Sequence, residues 1–382
     1  MNRPPTSPAD RDAYREYVGV VHLHSTYSDG HWPVGRILGE GIRAGLDFVF
    51  LTDHDTLGAR EDGWGGWYAP GEPEGPWLSV RPVERGSSPH RIFLGVGAEV
   101  TPPRSHYLAF GVDRLPAPDL PSQKIVDFVR AEGGFGVIPH PDHRGNARFG
   151  IGCYKWEDWS VTGYDALDVW DLMTDWQDSL HGIVSAYVAY NRPAWVLRGP
   201  KRETLERWDR LLAQGPMPVI GCCDNHGRPY RLVRTYDILP YPAALRLLRL
   251  HLFTRPLEGL YAAEAERELL GAMRAGRGFV AQEFWWPATG FRFHAVGPAG
   301  EEVPMGSTVS PKDGPWTLTV QLPDRGMITL VKDGVTLVTR VGRGLDYEEK
   351  GGGVFRVEVY RRRNFWKKPW IFSNAIRIKS EG

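Results

Sequence analysis

The sequence predicts an α/β fold, a parallel barrel or sheet, followed by a small all-β sandwich. Two apolar runs, Val18–His24 and Phe48–Leu51, flank a stretch with helical spacing at Pro33–Ala44, which makes a βαβ unit. Side chains of metal-ligand type cluster where the predicted strands end, the place where parallel α/β folds hold their sites. Beyond about Glu283 helical patterns stop and short alternating segments take over.

With 382 residues the chain is long for one domain. Lysine plus arginine equals aspartate plus glutamate at 46 each, so no chain-wide field recruits nucleic acid or an anionic membrane, and only local basic patches can. Residues 1–16 read as a polar, Pro-rich leader without a signal-peptide core. No apolar run of membrane-spanning length occurs, and three cysteines form no disulfide framework, so a cytoplasmic protein with no membrane partner is expected. The 15 tryptophans are read as packing for the most part.

In the first strand, His22 and His24 stand at i and i+2 and so share a face. Asp29 follows in a Ser-Asp-Gly turn, and the second strand ends in Thr52-Asp53-His54-Asp55. Asp53 and Asp55 either orient ligand histidines or, for Asp55, cap the next turn. Leu57–Arg91, dense in Gly, Pro and Trp, reads as a long loop, either a lid or a disordered insertion. Ile92–Val100 is a strand carrying Glu99, and His106–Val112 returns so that Glu99 and His106 oppose each other across an antiparallel pair. A helix over Ser122–Glu132, with Ser122 as N-cap and Gly133-Gly134 as stop, leads to strand Phe135–Ile138 and then His140. Arg144–Thr162 is loop-like, Ala166–Trp170 a strand, and Ser179–Tyr190 and Arg202–Gln214 helices. Pro218–Cys223 is a buried strand ending in Asp224-Asn225-His226; Ala262–Ala275 is the last helix and Phe279–Ala281 a terminal strand. The tail strands are expected at Phe291–Val296, Trp316–Leu322, Met327–Lys332, Thr336–Val341, Val354–Tyr360 and Ile371–Lys379.

Collected, the strand-end groups are His22, His24, Asp29, His54, Glu99, His106, His140, Asp224 and His226, six histidines and three acids. Mixed imidazole and carboxylate donors suit Zn²⁺, Mn²⁺ or Fe²⁺. Nine donors exceed what one ion uses and serve two or three. His31, His90, His181, His251 and His294 lack strand-end partners and read as structural.

His22-x-His24, Asp29-Gly30, Thr52-Asp53-His54, Gly97-x-Glu99, His106, Pro139-His140-Pro141 and Asp224-x-His226 resemble, in order and residue type, the motifs of the polymerase and histidinol phosphatase (PHP) superfamily. The resemblance covers residues 17–285 and implies a distorted seven-stranded (β/α)7 barrel that holds three divalent metals. By it, one ion takes His22, His24, Glu99 and Asp224. A second takes Glu99, His106 and His140, and a third takes Asp29, His54 and His226. In residues 286–382, Gly290-Phe291-Arg292-Phe293, Met305-Gly306-Ser307, Lys332-Asp333-Gly334, Tyr360 and Phe372-Ser373-Asn374 resemble the immunoglobulin-like accessory tail of PHP proteins related to carbaryl hydrolases.

The activity this implies is a metal-dependent phosphoesterase acting on a small phosphate ester or short oligonucleotide, with no stable nucleic-acid partner. Basic groups that follow the ligand motifs, His143, Arg144, Arg148 and Arg228, are the candidates for holding phosphate oxygens, against the plainer roles of surface solvation or a salt bridge. The tail raises a second activity, carbamate or carboxylic ester hydrolysis, in which Trp-rich loops receive an aromatic leaving group. A metal-bearing binding module without catalysis is the third reading, and no expected ligand is missing to support it.

Overall fold

The computed structural model describes residues 14–86, 91–231, 235–310 and 315–379. The chain is a mixed α/β fold in which one large sheet runs through both halves. It opens with β1 (Arg15–Leu23), α1 (Val34–Arg43), β2 (Phe48–His54), α2 (Gly58–Glu61), the hairpin β3 (Gly66–Glu74) and β4 (Trp77–Val83), and β5 (Ile92–Val100). β6 (Tyr107–Phe110), α3 (Ser122–Ala131), β7 (Phe135–Ile138) and β8 (Ala166–Asp171) follow, then α4 (Leu172–Gln177), α5 (Ile183–Asn191), α6 (Pro193–Val196) and α7 (Arg202–Gln214). β9 (Val219–Cys222), the short pair β10 (Pro229–Arg231) and β11 (Thr235–Asp237), α8 (Tyr241–Ala244), β12 (Leu248–Thr254), α9 (Ala262–Arg274) and β13 (Gly278–Gln282) complete this half.

β1, β2 and β5 pair in parallel, β5–β6–β7 are antiparallel, and β7, β8 and β9 are parallel again. At the far end the Cys223 N–H donates to the Val21 carbonyl and Leu23 bridges Asn225, which brings the end of β9 back to β1. The other end of β1 pairs with β12, Arg15 opposite Thr254. Strands in this arrangement are buried on both faces, and their side chains divide by alternation. Val49 and Leu51 face α1 and its neighbours, whereas Phe48 and Phe50 enter a second cluster with Phe93, Phe110, Phe135 and the α9 residues Leu269 and Met273.

α1 forms because Val34, Ile37 and Leu38 recur on one buried face, and it is left behind through Gly45, whose φ is 74°. Its Gly39 lies against β4: a Cβ there would stand 2.0 Å from the Leu78 carbonyl oxygen. The expected long loop at Leu57–Arg91 is therefore corrected. It is a helical turn and a hairpin, built into the fold by α1, and its prolines at 70, 73 and 82 hide the strand pattern.

Other boundaries move as well. β1 begins at Arg15, inside the expected leader, whose residues 1–13 lie outside the described ones, as does His90. Ser122 is the first helical residue and Pro121 the cap position, with no side-chain cap. The helix expected over Ser179–Tyr190 is α5, which starts only at Ile183, and α4, β12 and the β10–β11 pair lie where no element was expected.

The tail consists of β14 (Arg292–Val296), β15 (Glu302–Pro304), β16 (Thr308–Val309), β17 (Trp316–Lys332), β18 (Val335–Glu349), β19 (Gly353–Arg363), β20 (Trp366–Ser373) and β21 (Ile376–Ile378). Two expected strands merge in β17, which breaks register between Gln321 and Gly326 and so pairs with β14 through its first part and β19 through its second. Its core, with Phe293, Leu318, Ile328, Leu330, Val357 and Trp370, also takes in Phe253 and Phe279 from the first half. β20 pairs directly with β13, Phe279 opposite Ser373.

Candidate metal centre

The site is built at the ends of β1, β2, β5, β7 and β9. β1 carries an irregularity against β2 between Val21 and Leu23, and His22 there has φ 66°. His140 after β7 and Asp224 after β9 also lie in the left-handed region, at φ 30° and 50°. Non-glycine residues held so cost on the order of 1–3 kcal/mol each, and such strain gathers at functional sites. The distortions turn the side chains inward. The Asp168 carboxylate accepts from the His140 N–H at 3.0 Å, and Tyr241 donates its hydroxyl proton to the His24 carbonyl, so both ligand backbones are held from behind.

Glu99 is the centre, fully buried. One carboxylate oxygen faces His106 Nδ1 at 2.7 Å and His140 Nε2 at 3.1 Å. The other faces His22 Nε2 at 3.1 Å, His24 Nε2 at 3.2 Å and His54 Nδ1 at 3.4 Å. Asp224 Oδ1 stands 3.5 and 3.4 Å from the same nitrogens of His22 and His24. Asp29 Oδ1 lies 3.2 Å from His226 Nε2 and 3.8 Å from His54 Nε2 and His24 Nδ1. Glu99 and His106 do meet, but not as opposed strand residues: Glu99 pairs with Leu108, and His106 precedes β6.

Three sets have donor atoms within 4.8 Å of one another: His22, His24, Glu99 and Asp224; Glu99, His106 and His140; and His24, Asp29, His54 and His226. All nine expected donors are thus brought together, and His24 joins the third set. Both ring nitrogens of His22 and His24, with His54 Nδ1, Glu99 Oε2 and Asp29 Oδ1, are buried without a hydrogen-bond partner. Buried polar atoms are normally satisfied, so this many orphans in one place, all of ligand type, fit cations shared between them.

Burial alone would neutralise the histidines, and it does hold His140 down to about 4 and His54 below its ordinary range. For His24 burial is outweighed by the adjacent Asp224 and Glu99 carboxylates, which raise it to about 10. Burial opposes charge on Glu99 and Asp224 too, yet the surrounding imidazoles hold both carboxyls well below the usual carboxylate range.

Asp53 and Asp55 touch no ligand ring. Asp53 accepts from Ser25 N–H at 2.7 Å, Ser25 Oγ at 2.8 Å and Ser28 Oγ at 2.6 Å, and thereby fixes the turn that presents Asp29. Asp55 accepts from Thr101 N–H at 2.9 Å and from its hydroxyl.

Of the basic groups, Arg228 contacts the donor cluster through Asp29 Oδ2 at 2.8 Å, and the His143 ring stands edge-on to His140 with centroids 5.6 Å apart. The Arg144 guanidinium is taken by Glu203 on α7 at 2.5 Å, and Arg148 donates to the His181 carbonyl. His143 is buried and, by burial, held below its ordinary pKa. Its Nδ1 accepts from the Tyr154 N–H at 3.2 Å, so Nε2 carries the proton and donates to Gln177 Oε1 at 2.8 Å. Tyr154, absent from the sequence reading, stacks on His106 with centroids 4.6 Å apart. No sequence pattern announces it, because only the folded loop carries it to the rim.

No family model matches the chain, and no curated protein matches it in sequence. Among solved structures it is similar to a two-domain protein from Bacteroides vulgatus containing a predicted PHP-like metal-dependent phosphoesterase, at 14% identity over 98% of this chain and 99% of that one, with a TM-score of 0.42. It is also similar to a protein from Bifidobacterium adolescentis described as a metal-dependent phosphoesterase, at 16% identity over 58% and 95% of the two chains and a TM-score of 0.32. An amidohydrolase from Chromobacterium violaceum with bound sulfate gives 13% identity, 58% and 92% coverage and a TM-score of 0.29. In the order of its own motifs, from His22-x-His24 to Asp224-x-His226, the chain is similar to the PHP superfamily.

Proposed function

We propose that this chain is a metal-dependent hydrolase of the PHP superfamily, acting as a phosphoesterase on a small phosphate ester or a short oligonucleotide. In this reading residues 17–285 form the distorted seven-stranded barrel and residues 286–382 an immunoglobulin-like accessory sandwich. The observation that carries it is the Glu99 carboxylate, whose two oxygens face separate groups of imidazoles inside a buried cluster. Such a carboxylate suits a bridging ligand, and with Asp29 and Asp224 the three donor sets would hold Mn²⁺, Zn²⁺ or Fe²⁺.

Bound by these donor sets, divalent cations would supply an acidified water and neutralise charge on the ester oxygens. The protein's own part is to hold nine donors at fixed positions and to exclude bulk water from the Glu99 side. Arg228, 64% exposed at its side chain, can turn its fork from Asp29 onto phosphate oxygens. His143, neutral and fixed by Gln177, acts as a positioning residue for Tyr154, and Arg144 supports the loop beside it through Glu203.

Tyr154 supports a second reading. The residue is 42% exposed and its ring stacks on His106, a flat wall suited to an aryl leaving group in carbamate or carboxylic ester hydrolysis. The deciding test is nitrophenolate release from paired nitrophenyl phosphate and nitrophenyl acetate by Mn²⁺-loaded protein, with Asp224→Asn as blank. Turnover of the phosphate ester, lost in the variant, is expected. Turnover of the acetate alone transfers the assignment to the second reading, and activity that survives in Asp224→Asn removes this cluster as the active centre.

A further inference from the structure

We infer that the β19–β20 hairpin is a wedge that docks the protein peripherally on an anionic lipid surface, through Phe365 and Trp366 flanked by Arg362, Arg363 and Lys367. The inference is independent of the proposed activity. Arg363 pairs with Trp366, so the strands are joined by only two residues, Asn364 and Phe365, with Asn364 at φ 55°. Turn chemistry asks for Asn or Gly in such a connection and gives no reason for an aromatic ring at its apex. Phe365 is nonetheless 97% exposed, the highest value of any large apolar side chain among the described residues, and Trp366 is 66% exposed.

From Tyr360 to Phe372 the sequence holds five cations and no acid. Two of these cations secure the base of the hairpin. Arg361 pairs with Asp324 at 2.6 Å and lies over the Trp286 and Trp370 rings, and Lys368 is buried and donates to the Trp195 carbonyl. Arg362 and Arg363 are exposed beside the apex, and the Lys367 ammonium sits 3.7 Å from the Tyr360 ring centroid. Exposed Arg340 and Val341 stand two strands away, since Met327 of β17 pairs with both Val341 and Tyr360.

A braced, convex tip with an apolar point and a cationic collar matches the bilayer interface, where rings enter the headgroup region and cations meet anionic lipid. Single-stranded nucleic acid asks instead for a groove that tracks its backbone. The chain-wide charge balance led to an expectation of no membrane partner, but the attraction here is local. Among the described residues no helix is long and apolar enough to cross a membrane, so the contact is peripheral.

The experiment is flotation of the full chain with phosphatidylcholine vesicles and with vesicles of phosphatidylcholine and phosphatidylserine in equal parts. Binding to the mixed vesicles only, weakened by salt, is expected. Arg362→Gln/Arg363→Gln/Lys367→Gln should weaken it about a hundredfold, near fivefold per cation. Phe365→Ser/Trp366→Ser should weaken it about tenfold or more with the melting temperature unchanged, because both rings already face solvent. The proposal is overturned if neither vesicle binds, or if both variants bind like the parent. It is equally overturned if the tip instead mediates self-association by light scattering, or retains a single-stranded oligonucleotide while ignoring vesicles.

Discussion

Asn374, at the end of β20, clasps Val219, the first residue of β9. Its carboxamide oxygen accepts from the Val219 N–H at 2.8 Å, and its amide nitrogen donates to the Val219 and Gly278 carbonyls at 2.9 Å each. All three bonds are buried, and β9 leads straight into Asp224 and His226. Asn374→Ala removes this partner from the buried Val219 N–H and carbonyl at about 1–3 kcal/mol each, while the Gly278 carbonyl keeps the backbone N–H of residue 374. We expect the stability to urea to fall by roughly 3 kcal/mol or more, with the midpoint rather than the slope of the unfolding curve reporting it.

The same seam predicts the fate of a shortened chain. A protein ended at residue 285 would bare the β13 edge that β20 now covers, together with Phe253 and Phe279. Uncovered edges with apolar neighbours self-associate. Expression of 1–285 should give aggregated material by size exclusion, whereas the boundary expected near Glu283 as a free-standing division would give a monodisperse fragment.

His251 makes stability depend on pH in a defined direction. It is buried between Glu16 at 2.8 Å and Glu283 at 3.4 Å. Burial would lower its pKa, but the bonds to Glu16 and Glu283 raise it above 6.5, while His251 helps hold both carboxyls below 4.5. The imidazolium's contribution is complete below 6.5 and lost as pH rises through its raised value; the carboxylates' contribution is complete above 4.5 and lost as pH falls through their lowered values. His251→Phe should therefore cost most between these limits, about 3–5 kcal/mol, and less on either side. Chemical denaturation of both proteins across pH measures it, and a flat difference would refute the charged pair.

Elemental analysis after dialysis separates the donor sets. Glu99→Gln should lose the ions of the two sets that share Glu99, and Asp29→Asn only that of the third. Chelation of the parent should lower its melting temperature, since metal bound to the folded state adds to its stability. Equal metal content in parent and Glu99→Gln would refute the bridging role.

Much of this centre was legible because its donors lie beside short apolar runs, and a strand end is visible in sequence wherever β-branched and aromatic residues give way to Asp, His or Gly. His22-x-His24 and Asp224-x-His226 are of that kind. What escaped was created by backbone distortion and distance. Nothing local marks the irregularity at His22, the support of His140 by Asp168, or Tyr154 swung onto His106. The β3–β4 hairpin was hidden by its prolines, while β12 is unassigned in the sequence reading although Leu248, Leu250 and Leu252 alternate plainly. Arg144 and Arg228 look alike beside their motifs, and only the fold decides that one meets Glu203 and the other Asp29.

The pairing of β1 with β12 also sets a timetable for the newborn chain. Arg15 is among the first described residues to leave the ribosome, yet its partner Thr254 follows some 240 residues later. At about 5–20 residues per second, one flank of the first strand stands open for roughly 10–50 s. During that interval β2 can already zip onto the opposite flank, and the half-made sheet presents its bare backbone to every neighbouring polysome. Faster translation shortens that exposure and slower translation extends it, so slowing synthesis should lower the soluble yield of this protein.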